Sequence, residues 1–179
     1  MVTESDFGPA LLFQYESPIK VTNVLAVSTG KTVANSIFGW PTNVVAYGSL
    51  QYFGERGLQP DIVGVTAYLK AFKSFKLGTW QIPLRLGLGE GLSYVSRIPF
   101  IEVEDFAPER SAKLVNFLEW SMQMPLGYLL GKGEGRFSRH IKEAYIGYHV
   151  FHRSTVFGLF AEKGGGVNYM GIGFEFVFE

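Results

Sequence analysis

The sequence predicts an all-β fold, an eight-stranded antiparallel up-and-down transmembrane β-barrel occupying residues 1–179 as a single outer-membrane domain. Three observations point there. First, 47% of the 179 residues are hydrophobic and only 18% are charged, against about 25% charged in an ordinary soluble domain. Second, apolar side chains recur at every second position over many segments, the period of a strand with two unlike faces. Third, the faces that are not apolar are built from Gly, Ser, Thr and isolated charges, in a chain with 22 Gly, 16 Phe, 9 Tyr and 3 Trp. The length suits one domain.

Composition also excludes several classes. Sixteen basic residues balance sixteen acidic ones, so the cationic footprint of a nucleic-acid binder is missing. The hydrophobic fraction is too high for a disordered chain. Without Cys there is no disulfide framework, thiolate nucleophile or Cys-ligated zinc, and no cofactor or metal is expected. The longest uncharged stretch, residues 32–54, holds Asn35, Ser36, Pro41, Thr42, Asn43, Ser49 and Gln51, too many polar groups for a membrane helix of about 20 apolar residues. The start, MVTESDFG, lacks the pattern of a secretory signal. Either the chain is cytoplasmic, or a signal has been removed; the barrel reading implies the second.

The strands follow in order. Residues 8–15 and 20–28 are the weakest, 43–53 and 61–72 are clearer, and in the latter Val63, Val65, Ala67, Leu69 and Ala71 oppose Thr66, Tyr68 and Lys70. In residues 82–94, Ile82, Leu84, Leu86, Leu88 and Leu92 oppose Arg85, Gly87, Gly89, Gly91 and Ser93. Residues 113–127 set Leu114, Leu118, Trp120, Met122, Met124 and Leu126 against Glu119, Ser121 and Gln123; helical spacing of Leu114, Phe117 and Leu118 leaves a short helix there as an alternative. Residues 143–154 set Ala144, Ile146, Tyr148 and Val150 against Glu143, Gly147, His149 and Arg153. The last strand, 167–179, places Met170, Ile172, Phe174, Phe176 and Phe178 on one face. Segments near 55–61, 99–110, 131–138 and 162–166 have turn and loop composition.

Such strands fit a soluble barrel with its apolar face inward or a membrane barrel with that face outward. The Gly-rich, sparsely charged second face suits a narrow packed interior better than a solvated surface, which selects the membrane barrel. Aromatic residues would then supply interfacial girdles.

Chemistry must come from Ser, Thr or His. His140 lies in a polar turn, and His149 reads as a hydrogen-bonded interior residue. His152 and Ser154 share the face assigned to lipid, with Cα atoms roughly 6–7 Å apart along one strand. They read either as base and nucleophile or as polar groups tolerated at headgroup level. Asn168 has the same parity at the start of the final strand, and a hairpin would bring it beside them.

HRSTVFGLF followed by GGGVNYMGIGFEF resembles the C-terminal hairpin of the PagL-type lipid A deacylases, best over residues 141–179, with looser support at 86–99. The resemblance implies an eight-stranded outer-membrane esterase of Gram-negative bacteria whose site faces the outer leaflet. There Ser154 would attack an acyl ester of lipid A in lipopolysaccharide, His152 would be the base, and Asn168 would hold the place of the family's orienting Glu. Thr155 stands where the family carries Asn near the oxyanion. Backbone amides of Gly164, Gly165 and Gly166 are further oxyanion candidates. Glu90 also has lipid-face parity, and a bulge at its flanking glycines is expected to turn it inward. Expected partners are lipopolysaccharide and outer-membrane lipid, with a second copy or another membrane protein also allowed. A non-catalytic barrel with a structural or partner-binding role is the second reading, and a soluble ligand-binding barrel the third.

Overall fold

Period-two alternation sends successive side chains to opposite faces of a strand, and in the computed structural model it builds one antiparallel sheet. The structure describes residues 2–3, 22–106, 111–133, 136–155 and 166–179. Seven long strands are formed: β1 (Asn23–Ile37), β2 (Trp40–Gly54), β3 (Ile62–Leu77), β4 (Ile82–Val95), β5 (Leu114–Pro125), β6 (Ile141–Ser154) and β7 (Gly166–Phe178). Each pairs with the next in sequence, so the sheet is a meander. A two-residue bridge at Val2–Thr3 adds to the free edge of β7 through Thr3 opposite Asn168.

The expected closed eight-stranded barrel is therefore seen as a curled seven-stranded half-barrel. Its predicted first strand, 8–15, lies outside the described residues. The strand predicted at 20–28 extends to Ile37, because a two-residue turn with positive φ at Phe38 (48°) and Gly39 (82°) joins β1 to β2, the geometry that matches strand twist. Residues 99–110, read as loop, contain the helix α1 (Phe100–Phe106). Residues 114–118, where a helix was an alternative, are strand. A single helical turn, α2 (Leu126–Leu129), follows β5.

The polar and small residues face inward. Lys70 Nζ meets Glu119 Oε1 at 2.6 Å, and His149 Nδ1 meets the same oxygen at 2.9 Å. Arg85 reaches Glu175 at 2.5 Å and Gln123 at 2.8 Å, while Gln123 also donates to Glu175 at 3.0 Å and Tyr47 does so at 3.1 Å. These links join β2, β4, β5 and β7, so side chains cross the space enclosed by the curl. The Arg85 guanidinium lies between the rings of Phe72 and Tyr145, 4.1 and 3.7 Å from their centroids. Gly87 makes the room: a Cβ there would fall 2.5 Å from Lys70 Cε and 2.6 Å from Ser121 Oγ.

The outward face is the apolar one. Leu25, Val27, Leu50, Val63, Leu69, Leu88, Ile172 and Phe174 are all exposed. The strand ends Gly54, Ile62, Val95, Leu114, Ser154 and Gly166 lie at one end of the sheet, called upper here, and the tight turns at 38–39 and 78–81, with Pro125, α2 and Ile141, at the lower end. The upper mouth is filled by α1, whose Ile101 joins Phe53, Ile62, Val95, Val167 and Tyr169 in one buried cluster. A cavity of about 360 Å³ remains at the lower end, against Arg85, Glu143 and Tyr145.

Glu119 holds two partners, the Lys70 ammonium and the His149 ring, and both it and Lys70 are shielded from water. Replacing Glu119 by Ala strands those partners, a loss of about 3–5 kcal/mol expected for one member of a buried pair. Glu119→Gln is expected to lose less. Equilibrium denaturant unfolding measures both.

Candidate functional site

The strand registers place five polar residues together on the outer wall. Glu90 of β4, Leu118 of β5, His152 of β6 and Asn168 of β7 lie in one cross-strand row. The row above it runs Leu92, Asn116, Ser154 and Gly166, and the row below runs Leu88, Trp120, Val150 and Met170. Apart from Tyr94, Tyr148 and, at the lower end, the exposed Lys142, the other outward residues of β4–β7 among those described are apolar or Gly. Glu90, Asn116, His152, Ser154 and Asn168 thus form a polar island at the upper end of an apolar wall.

His152 and Asn168 are direct partners across β6 and β7. Their Nδ1 and Oδ1 atoms are 2.9 Å apart. With the Asn oxygen so assigned, Nδ1 carries the proton and donates to Oδ1, leaving Nε2 to accept one. Asn168 is 1% exposed, so this bond is sheltered from competing water. Gly166 lies against the ring: a Cβ there would come 2.5 Å from Nε2. The absence of a side chain at 166 is therefore a steric requirement for this imidazole position. Ser154 stands two residues beyond His152 on the same face, half-buried, with Asn116 opposite it on one side and Gly166 on the other.

The inner face anchors the same stretch of chain. Arg153, between His152 and Ser154, points inward and is fully buried. Its Nε donates to Glu102 Oε1 at 2.7 Å, and its other nitrogens donate to Ser93 Oγ and, at 3.4 Å, to the Ala112 carbonyl. Tyr169, next to Asn168, reaches the same Glu102 oxygen at 3.4 Å. Burial holds the Glu102 carboxyl above its usual range, against the pull of Arg153. Helix α1 thus grips, from inside, the two strands that carry the outer residues.

The remaining expectations divide. Thr155 follows β6 and is buried at 2% exposure. Gly164 and Gly165 lie outside the described residues. His149 is the interior hydrogen-bonded residue expected, through Glu119 and, at 3.3 Å, Gln123. Glu90 is a correction: β4 pairs with both neighbours without a register shift, so no bulge forms and the carboxyl points outward, exposed. The flanking glycines instead let β3 approach closely: a Cβ on Gly91 would collide with the Ala67 carbonyl oxygen, and one on Gly89 would fall 3.1 Å from the Tyr68 ring. Asn116, not noticed in the sequence, is the second addition. Its parity with Leu114 and Leu118 was the available signal.

Asn168→Leu removes the acceptor of the His152 Nδ1 proton. Nitrogen-15 spectra of labelled histidine should change from a bare Nε2 in the parent toward a mixture of tautomers. Gly166→Ala should displace the ring and shift the same resonances while the fold persists. No protein-family model, curated protein or solved structure matches this chain.

Proposed function

We propose that this chain is an outer-membrane esterase that removes an ester-linked acyl chain from lipid A of lipopolysaccharide. The observation that carries the proposal is the His152–Asn168 hydrogen bond, which engages Nδ1 and turns Nε2, the proposed base, toward Gly166, the cross-strand neighbour of Ser154. The resemblance of residues 141–179 to PagL-type deacylases supports the same reading.

The outward surface supports membrane residence. Strands of 12 to 16 residues exceed the roughly 9–11 needed to cross a bilayer. Aliphatic side chains predominate on the outward faces, where Lys31 and Lys73 also lie, and exposed Phe38, Trp40 and Trp80 ring the lower end as an interfacial girdle would. Two of the three lower connections are tight turns, as on the periplasmic side of such barrels, and the third carries α2; in the proposed orientation the upper end and its polar island face the outer leaflet.

In the proposed reaction Ser154 Oγ attacks the ester carbonyl carbon while His152 Nε2 takes its proton. The tetrahedral intermediate collapses, the sugar oxygen leaves with the proton from His152, and the acyl group stays on Ser154. Water then attacks the acyl-enzyme, again giving its proton to His152. Collapse releases the fatty acid and returns the proton to Ser154. Asn168 orients the imidazole, as Asn does in Cys-His-Asn enzymes, but adds no negative charge to stabilise the imidazolium.

That neutral partner also favours a second reading, a barrel that keeps the fold with little or no turnover. Mass spectrometry of lipopolysaccharide incubated with detergent-folded protein distinguishes the two, since the esterase must shorten lipid A by one ester-linked acyl chain. Ser154→Ala is expected to lower the rate by about 10³-fold or more. Asn168→Asp, which restores a carboxylate beside Nδ1, should raise it by about tenfold or more.

A further inference from the structure

We infer that Glu90 and Asn116 form the subsite that receives the sugar head of the lipid, while the groove below Glu90 takes one of its acyl chains. The inference rests on the reading above that the outer wall faces lipid, and extends it from the reacting atoms to recognition of the substrate.

Glu90 is exposed on β4 between Leu88 and Leu92, with Leu69 and Leu118 directly opposite it on β3 and β5. A carboxyl group on a lipid-facing wall is costly unless it meets a donor. Within the protein Glu90 is approached by the Asn116 amide at 3.5 Å, and that amide also donates to the Gly91 carbonyl at 3.3 Å. This is a long contact, which leaves the Glu90 oxygens able to accept from a ligand. The donors that fit are hydroxyl or amide N–H groups at the polar end of an amphiphile. An acyl chain alone brings none, and an anionic phosphate would be repelled.

Position defines the rest. Asn116 is the cross-strand neighbour of Ser154. Glu90 and Ser154 therefore sit two strands apart, a lateral span of roughly 10 Å, the scale of a sugar unit. Below Glu90 a groove of about 320 Å³ is lined by Ile37, Val44, Leu69, Ala71, Leu88 and Leu118. It is apolar throughout except for Glu90 at its edge. One molecule with several acyl chains on a hydroxylated sugar can place an ester at Ser154, a donor at Glu90 and a second chain in this groove. A single-chain ester would fill neither subsite.

Binding tests this independently of turnover. The parent is Ser154→Ala, so no substrate is consumed, and fluorescent lipid A in detergent micelles is followed by anisotropy. Adding Glu90→Leu is expected to weaken binding about tenfold or more, the loss of a hydrogen bond to a carboxyl acceptor. Glu90→Gln, of the same shape and still an acceptor, should weaken it less and serves if Glu90→Leu fails to give the heat-modifiable migration of a folded barrel. Phosphatidylcholine, with two acyl chains but a quaternary head that carries no N–H or O–H donor, should compete poorly. Unchanged lipid A binding in both variants, or equal competition by phosphatidylcholine, would overturn the subsite. If the Ser154 protein hydrolyses no lipid A yet Glu90→Leu loses binding, the subsite stands and the esterase does not.

Discussion

The ionic contacts inside the curl decide which way every strand faces. Lys70 and His149 converge on the Glu119 carboxylate, and Arg85, Gln123 and Tyr47 on that of Glu175. Groups this polar are tolerated in an enclosed space only when they find one another. Once they turn inward, strict alternation leaves Leu69, Leu88, Phe174 and their neighbours no choice but the outside. A slip of one residue in any register would exchange the two sets. The fold and its apolar exterior are therefore one constraint seen from two sides.

The outer polar island follows from the same alternation. His152 and Ser154 are outward because Arg153 between them is committed to Glu102 and Ser93 within. Asn168 is outward because Tyr169 packs into the upper cluster with Phe53 and Ile101. Helix α1 is thus more than a stopper for the upper mouth. Through Glu102 it fixes the backbone beneath the imidazole, while Gly166 and Asn168 fix the ring from the neighbouring strand. Chemistry on the outer surface is set by packing on the inner one.

Much of this was legible in the residues, and the failures have definite causes. The strands from 43–53 onward, the sidedness of Val63 to Ala71 and the interior role of His149 follow from a period that needs no tertiary information. The helix Phe100–Phe106 does not, because a two-turn helix is held by Ile101 and Glu102 fitting the barrel mouth and has little intrinsic stability. The hairpin at Phe38 and Gly39 lacks the Asn-Gly signature usual for its geometry. Glu90 faces outward where a bulge was expected to turn it in, because its glycine neighbours serve the close approach of Ala67 and Tyr68 and the register runs unbroken. Asn116 was overlooked because its pairing with Ser154 depends on a register that only the assembled sheet defines. In the site, the parity of His152, Ser154 and Asn168 and the pairing of Asn168 with His152 were readable, whereas the neighbouring places of Asn116 and outward Glu90 were not.

The central claim is that the apolar face is the outer face and lies in lipid, and the lack of native cysteine makes it directly measurable. Single cysteines at Leu69, Leu88 and Phe174, spin-labelled in reconstituted vesicles, should collide more with membrane-soluble oxygen than with a water-soluble nickel complex. Dominant contact with the nickel complex at all three positions would contradict the account.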